Sequence, residues 1–362
     1  EIIMRIGMLT SGGDCQALNA TMRGVVKALN NLCDNVTIFG FNDGYRGLIY
    51  SDYRELTGAD FVGILTVGGT ILGTSRVPFK TINDPDENGL DKVESMLNTY
   101  RRLRLDCLVV LGGNGSQKTA NLLSQKGLNV VSLPKTIDND LWGTDMTFGF
   151  YSAVDNACHA IDCIHTTANS HGRIFIVEVM GHKVGQLPLH AGIASGADII
   201  LLPEIPYDIN VVCTALKKRN AAGAKFSIIV VAEGAISKED ASLEKVELKK
   251  KQAKDKKKYP SVAYKLADEI SQRIDKEIRI AVPGHTQRGG APDAYDRVLS
   301  TRLGAHAAQM IVDKKFGQMA IIKNGKITEI PLEKTAGKLK RVDPESDIIA
   351  EARLVGISFG DK

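Results

Sequence analysis

The chain has 362 residues, 43% of them hydrophobic, and 46 Lys+Arg against 42 Asp+Glu give a net charge of +4. This length suits two medium α/β domains, and so small a net charge favours an anionic small molecule over a nucleic-acid surface. No apolar run reaches the length of a membrane span and no charged-then-apolar leader opens the chain, so the expectation is a cytoplasmic protein with neither membrane nor nucleic-acid partner.

The first residue is Glu1, which leaves Met4 as a candidate native start. Residues 5–9 form an apolar strand that runs into Thr10-Ser11-Gly12-Gly13-Asp14, followed by a helical pattern through Leu18, Met22, Val25, Val26 and Leu29. The same unit recurs at 106–111, Gly112-Gly113-Asn114-Gly115-Ser116 and a helix containing Ala120, Leu122 and Leu123. A third strand, 129–133, leads into Pro134-Lys135-Thr136-Ile137-Asp138-Asn139-Asp140. In the second half, strands are predicted at 173–179, 198–202, 226–232 and 278–282, and helices near 151–166, 209–220, 263–276 and 297–314. Continuous apolar strands alternating with helices predict parallel sheets covered on both faces. Residues 237–258 are lysine-rich, and the spacing of their acidic residues fits a solvated helix or insertion with i,i+4 charge pairs. The six cysteines have no zinc spacing and read as free thiols.

Ligands of open α/β sheets bind beyond the carboxyl ends of strands, where these motifs lie. Asp138 and Asp140, two residues apart on what reads as extended backbone, suit a division between proton transfer and metal binding. The turns at 10–14 and 112–116 offer backbone N–H groups to an anion, although neither matches a P-loop or a dinucleotide fingerprint. Gly68-Gly69-Thr70-Ile71-Leu72-Gly73-Thr74-Ser75-Arg76 adds a cation suited to clamp a phosphoryl group. His285 and Arg288, in Pro283-Gly284-His285-Thr286-Gln287-Arg288-Gly289-Gly290, suggest a sugar-phosphate site, and Glu233 at a strand end suits sugar hydroxyls. Glu178 and Glu233 each lie in an apolar run and need a partner there. A nicotinamide oxidoreductase lacks its fingerprint, and nucleophile-elbow and zinc-hydrolase motifs are absent.

In this order, the motifs resemble the 6-phosphofructokinase family (phosphofructokinase A type, a divergent branch) over residues 5–317. The resemblance implies an α/β fold of two doubly wound, mainly parallel-sheet domains with the active site in the cleft between them. One is a phosphoryl-donor domain, 1–149 plus 287–337. The other is a fructose 6-phosphate domain, 150–286 plus 338–362, with the lysine-rich insertion at 237–260. It implies Mg2+-dependent transfer from ATP to the 1-hydroxyl of fructose 6-phosphate by a homodimer or homotetramer with shared active sites. Asp138 takes the role of general base, Thr136 positions the reacting groups, and Gly13 and Arg76 stabilise the transferring group. Asp140 and Asn114 fall at the metal, and Tyr45, Gly115, Ser116 and Lys135 on the donor side. Met180, Gly181, His182, Glu233, His285 and Arg288 fall at the sugar phosphate, with Arg173 and Arg279 reaching the 6-phosphate of a neighbouring subunit.

This sequence departs from the family pattern in having Asn114 where Asp is usual and His182 where Arg is common. In the effector pocket Arg23 and Lys27 fit, whereas His165, Ala222 and Ala224 stand where cations are expected, which argues against control by ADP or phosphoenolpyruvate. Pyrophosphate-using members resemble one another in carrying Asp at position 115 and Lys at position 135, while typical ATP enzymes carry Gly at both. With Gly115 and Lys135 the chain is mixed. An absent side chain cannot block ATP and a flexible lysine can swing aside, so ATP is the expected donor and pyrophosphate the alternative. A non-catalytic regulatory member is the second alternative; it rests on Asn114 alone, since Asp138 and Arg76 are intact.

Overall fold

The computed structural model describes residues 3–362; Glu1, and with it the question of the native start, lies outside the described residues. In chain order come β1 (Met4–Ser11), α1 (Leu18–Leu32), β2 (Val36–Phe41), α2 (Tyr45–Tyr50), β3 (Tyr53–Leu56), α3 (Lys92–Arg102), β4 (Cys107–Gly112), α4 (Asn114–Gln125) and β5 (Val130–Pro134). Next are α5 (Phe150–His171), β6 (Ile174–Val179), α6 (Gln186–Ala194), β7 (Ile199–Leu201), α7 (Ile209–Ala221), β8 (Ser227–Ala232), α8 (Lys238–Ala241), α9 (Lys245–Lys258), α10 (Val262–Ser271) and β9 (Ile278–Ala281). Last are α11 (Ala294–Val312), β10 (Gln318–Lys323), β11 (Lys326–Pro331), α12 (Leu332–Thr335) and α13 (Asp347–Leu354).

Two compact units divide the chain. The first runs up to Ala153 and takes in Arg288–Lys340; the second is Val154–Gln287 with Arg341–Lys362. In the first, seven strands lie in the order β11-β10-β5-β4-β1-β2-β3. Its inner pairs are parallel, and the edges β3 and β11 run antiparallel to their neighbours. Every residue of β4 is buried, as a strand covered on both faces requires. Leu108, Val110 and Val130 meet Met96 and Leu97 of α3 and Leu123 of α4 in the core. The second unit has four parallel strands in the order β7-β8-β6-β9, which gives both units the α/β architecture expected. Its core joins Ile176, Ile229 and Val231 to Leu216 of α7 and Leu266 of α10. The polar C-terminal tail packs on this unit's own sheet, where Ser358 pairs beside Ile199.

Element ends differ from expectation for local reasons. The helix expected at 151–166 continues to His171 and stops at Gly172, whose φ of 65° suits the left-handed turn that ends a helix. The helix expected from 297 begins at Ala294 because the Asp293 carboxylate caps it, accepting from Asp296 N at 2.7 Å. α10 ends at Ser271 rather than 276, because the chain must turn before it enters β9. Among buried carboxylates, Asp296 accepts from Gly149 N, Ser152 N and Ser152 Oγ at the start of α5, and burial pushes its pKa up to about 6. The lysine-rich stretch is largely the ordered helix α9, with no buried residue, and the ion pairs it makes reach other elements rather than i,i+4 within it: Lys251 with Asp240 and Glu239, and Asp255 and Lys258 with Lys265 and Asp268 of α10.

Candidate active site at the strand ends

The parallel register places Ser11 opposite Gly112 and Gly112 opposite Pro134, so the three motif-bearing strand ends lie side by side. Side chains bind them together. Ser116 Oγ donates to Ser11 Oγ at 2.9 Å, and Gln117 Nε2 donates to Gly112 O and Leu133 O at 2.8 and 3.1 Å. The segment before Arg76 joins the same cluster. Gly12 N donates to Ser75 O at 3.2 Å, Thr74 Oγ1 to Gly12 O at 2.6 Å and Thr10 Oγ1 to Gly73 O at 2.8 Å. Arg76 therefore follows directly from a strip hydrogen-bonded to the glycine turn, and its own side chain is exposed. Beside it opens a pocket of about 290 Å³ lined by Arg46, Ile49, Tyr50, Val77, Pro78 and Lys92.

Several sequence expectations need correction. Residues 114–116 are not a loop but the first turn of α4, whose unpaired N–H groups make the positive end of the helix. The turn at 12–14 does not open a helix directly, since α1 begins only at Leu18. Asp138 and Asp140 do not lie on extended backbone: Asn139 between them has a φ of 49°, a left-handed conformation that Asn tolerates. Tyr45, expected on the donor side, is 1% exposed. Its hydroxyl donates to Ser116 O at 2.8 Å, so it supports the first turn of α4 from within the core.

The largest correction concerns Lys135. It is no flexible side chain: it is 3% exposed, and its ammonium donates to Ser11 O at 2.9 Å and to Gly13 O. Burial lowers its pKa to about 8. The neighbouring Cys15 thiol is pushed up to about 12 by burial, with Lys135 opposing the shift. Lys135 is thus a strut beneath the glycine turn. Gly13 has its own constraint, because a Cβ there would lie 2.7 Å from Arg288 Nη1, which donates to Asp14 O at 2.9 Å.

Asp138 is half-buried, and its N–H donates to Thr136 Oγ1 at 3.0 Å. Thr136 O in turn accepts from Thr147 Oγ1 at 2.7 Å. Asp140 is buried, and desolvation raises its pKa, with Lys135 and Lys340 pulling against that rise. Its Oδ1 has no hydrogen-bond partner, and neither does the buried Oδ1 of Asn114, whose Nδ2 is spent on Lys338 O at 3.0 Å. Two orphaned oxygens, one of them anionic, are the hard donors that Mg2+ takes alongside phosphate oxygens, so these residues fit that ion. Lys340, which nothing local in the sequence marks, donates to Asn139 Oδ1, Thr144 O and Asp145 O, and burial lowers its pKa to about 8.

In the second unit, Met180, Gly181 and His182 follow β6, and Glu233 follows β8. Glu233 Oε1 accepts from Gly181 N at 3.1 Å and His182 N at 2.5 Å, which holds that turn, with His182 at a φ of 52°. Glu178 finds its partner in Ala263 N at the start of α10, at 3.0 Å. His285 is exposed on the short turn after β9. Arg173 and Arg279 are not brought to this set. Both lie near the opposite ends of β6 and β9, where they share Glu277, with Arg173 Nε at 2.6 Å from it.

Known proteins are similar to this chain in sequence and fold. A curated protein of Spirochaeta thermophila named ATP-dependent 6-phosphofructokinase is 52% identical over 98% of this chain and 97% of its own length. One of Bacteroides thetaiotaomicron, named ATP-dependent 6-phosphofructokinase 3, is 44% identical over 99% of this chain and 100% of its own. The Pichia pastoris phosphofructokinase crystal structure superimposes with a TM-score of 0.80 at 32% identity, covering 93% of this chain and 36% of that longer one. Residues 5–311 match the family described as phosphofructokinase, and the chain belongs to that family.

Proposed function

We infer that this chain catalyses transfer of the γ-phosphoryl group of ATP to the 1-hydroxyl of fructose 6-phosphate, releasing ADP and fructose 1,6-bisphosphate. The observation that carries the choice of donor is the pair Gly115 and Lys135. A Cβ on Gly115 would meet nothing within 4 Å, which leaves the α4 terminus open to a nucleotide, while Lys135 is committed to backbone carbonyls and unavailable to pyrophosphate.

Phosphoryl transfer depends mainly on positioning and charge stabilisation. Asp138 takes the proton of the 1-hydroxyl, and Thr136, whose hydroxyl accepts from the Asp138 N–H, holds it in position. The N–H of Gly13 and the Arg76 guanidinium face the charge on the transferring group. Gly115 and Ser116, in the first turn of α4, direct backbone N–H groups to the nucleotide phosphates. Asp140 and Asn114 would hold Mg2+, which when bound neutralises phosphate charge. On the sugar-phosphate side, Met180, Gly181, His182, Glu233, His285 and Arg288 bind fructose 6-phosphate. Arg173 and Arg279 lie at the opposite strand ends from Met180, Gly181, His182 and Glu233, which supports their serving a neighbouring subunit, and hence a homodimer or homotetramer. Among the described residues no helix is long and apolar enough to cross a membrane, in keeping with a cytoplasmic glycolytic role.

Purified protein given fructose 6-phosphate and magnesium should turn over with ATP and not with pyrophosphate; turnover with pyrophosphate alone would overturn the donor assignment. A second expectation concerns Gly13→Ala. The new methyl displaces the Arg288 guanidinium from Asp14 O, because it would otherwise lie 2.7 Å away. The KM for fructose 6-phosphate should rise about tenfold, equivalent to about 1.4 kcal/mol, with thermal unfolding little changed. An unchanged KM would remove Arg288 from the sugar-phosphate site.

A further inference from the structure

The strip Gly337–Lys340 belongs to no motif, yet it touches each residue assigned above to the metal. Lys338 O accepts from Asn114 Nδ2 at 3.0 Å. Leu339 pairs with Leu141 in an antiparallel bridge. Lys340 N donates to Asp140 O at 2.8 Å. The Lys340 ammonium has three donors, and all three are used: 2.8 Å to Asn139 Oδ1 and 2.9 Å to each of Thr144 O and Asp145 O. Asn139 Oδ1 also accepts from Thr147 N at 3.2 Å, so the left-handed residue between the two aspartates is held at its side chain from both sides.

We propose that this strip is a clasp for the donor side of the site, with Lys340 as a positioning residue that fixes the Asn139–Asp140 turn and the Lys338 carbonyl orienting the Asn114 amide. An amide set against a carbonyl must present its NH2 group to it, because the reverse orientation opposes two acceptors. The Lys338 carbonyl therefore fixes Asn114 Oδ1 as the buried, unpaired acceptor on the other side of the amide. In this way a neutral residue at a position where a carboxylate is usual still offers the metal a fixed oxygen. On the opposite flank, Lys340 N holds Asp140 by its backbone carbonyl and the Lys340 ammonium holds the adjoining Asn139, which leaves Asp140 Oδ1 unpaired. Both orphaned oxygens thus owe their orientation to one strip of four residues some two hundred positions away in sequence.

The clasp rests on the functional reading above, and its test separates the two. Lys340→Met keeps the aliphatic stem and removes the donors. Asn139→Ala keeps the ammonium with its two carbonyls and removes the Oδ1 acceptor that Lys340 and Thr147 N share, together with the 3.4 Å bond from Asn139 Nδ2 to Asp145 O and asparagine's tolerance of the left-handed φ. Binding of a non-hydrolysable ATP analogue with magnesium, measured by calorimetry on the full chain, should weaken about tenfold in Lys340→Met and about threefold in Asn139→Ala. The KM for fructose 6-phosphate should stay within about twofold in both, a split that general loosening of the fold would not give. If Lys340→Met does not fold, Asn139→Ala decides. Wild-type analogue affinity in the folded variants, or equal weakening toward both substrates, would overturn the clasp alone. Failure of the wild-type chain to bind the analogue would overturn the functional reading and the clasp with it.

Discussion

Asp138→Asn should lower kcat by about 10²- to 10⁴-fold while leaving the KM for both substrates nearly unchanged. The substitution is isosteric, and what positions the residue is its backbone N–H bond to Thr136 Oγ1, which an asparagine keeps. The amide cannot accept the hydroxyl proton, so the loss falls on an interaction made in the transition state, and kcat and kcat/KM drop together. Circular dichroism and thermal unfolding should match the wild type, because Asp138 is only half-buried and not part of the core. Retention of more than about a tenth of the wild-type kcat would remove Asp138 from the role of base, since positioned general bases contribute at least about a hundredfold.

How much of this could be read in the sequence depended on how local the interactions are. The strand ends were legible because each motif directly follows an apolar run, and parallel register alone then lines up Ser11, Gly112 and Pro134. The two-unit α/β architecture was legible for the same reason. The edge hairpin β10–β11 was not anticipated: Lys326–Pro331 is only partly buried and reads as polar. The Lys340 contacts were invisible because they join residues about two hundred positions apart, and no periodicity encodes that pairing. Lys135 was misread for a different reason. Lysine is rarely buried, and only the tertiary placement of two backbone carbonyls beneath the glycine turn makes its burial tolerable. Likewise, Arg173 and Arg279 fall in two separate expected strands, 173–179 and 278–282, and nothing in the sequence shows that Glu277 gathers them into one charged cluster.

Gly115→Asp should abolish most ATP use without creating pyrophosphate use. Gly115 is exposed in the first turn of α4, its φ is not left-handed, and its Cβ would enter open space, so aspartate is accommodated without strain. A carboxylate there is, if anything, favourable to the helix terminus, by about 0.3–1 kcal/mol. A fall in activity therefore cannot be ascribed to loss of folding. The same carboxylate stands where the nucleotide phosphates meet the α4 N–H groups, and juxtaposed like charges cost several kcal/mol. The kcat/KM for ATP should fall by about a hundredfold or more, since each 1.4 kcal/mol is a factor of ten, with the KM for fructose 6-phosphate unaffected. The variant would then carry the Asp and Lys pair that pyrophosphate-using members share. If the lysine were free, this single change would switch the donor. Because Lys135 is tied to Ser11 O and Gly13 O beneath the turn, pyrophosphate turnover should not appear, and its appearance in steady-state assays would mean that Lys135 leaves those carbonyls when a donor binds.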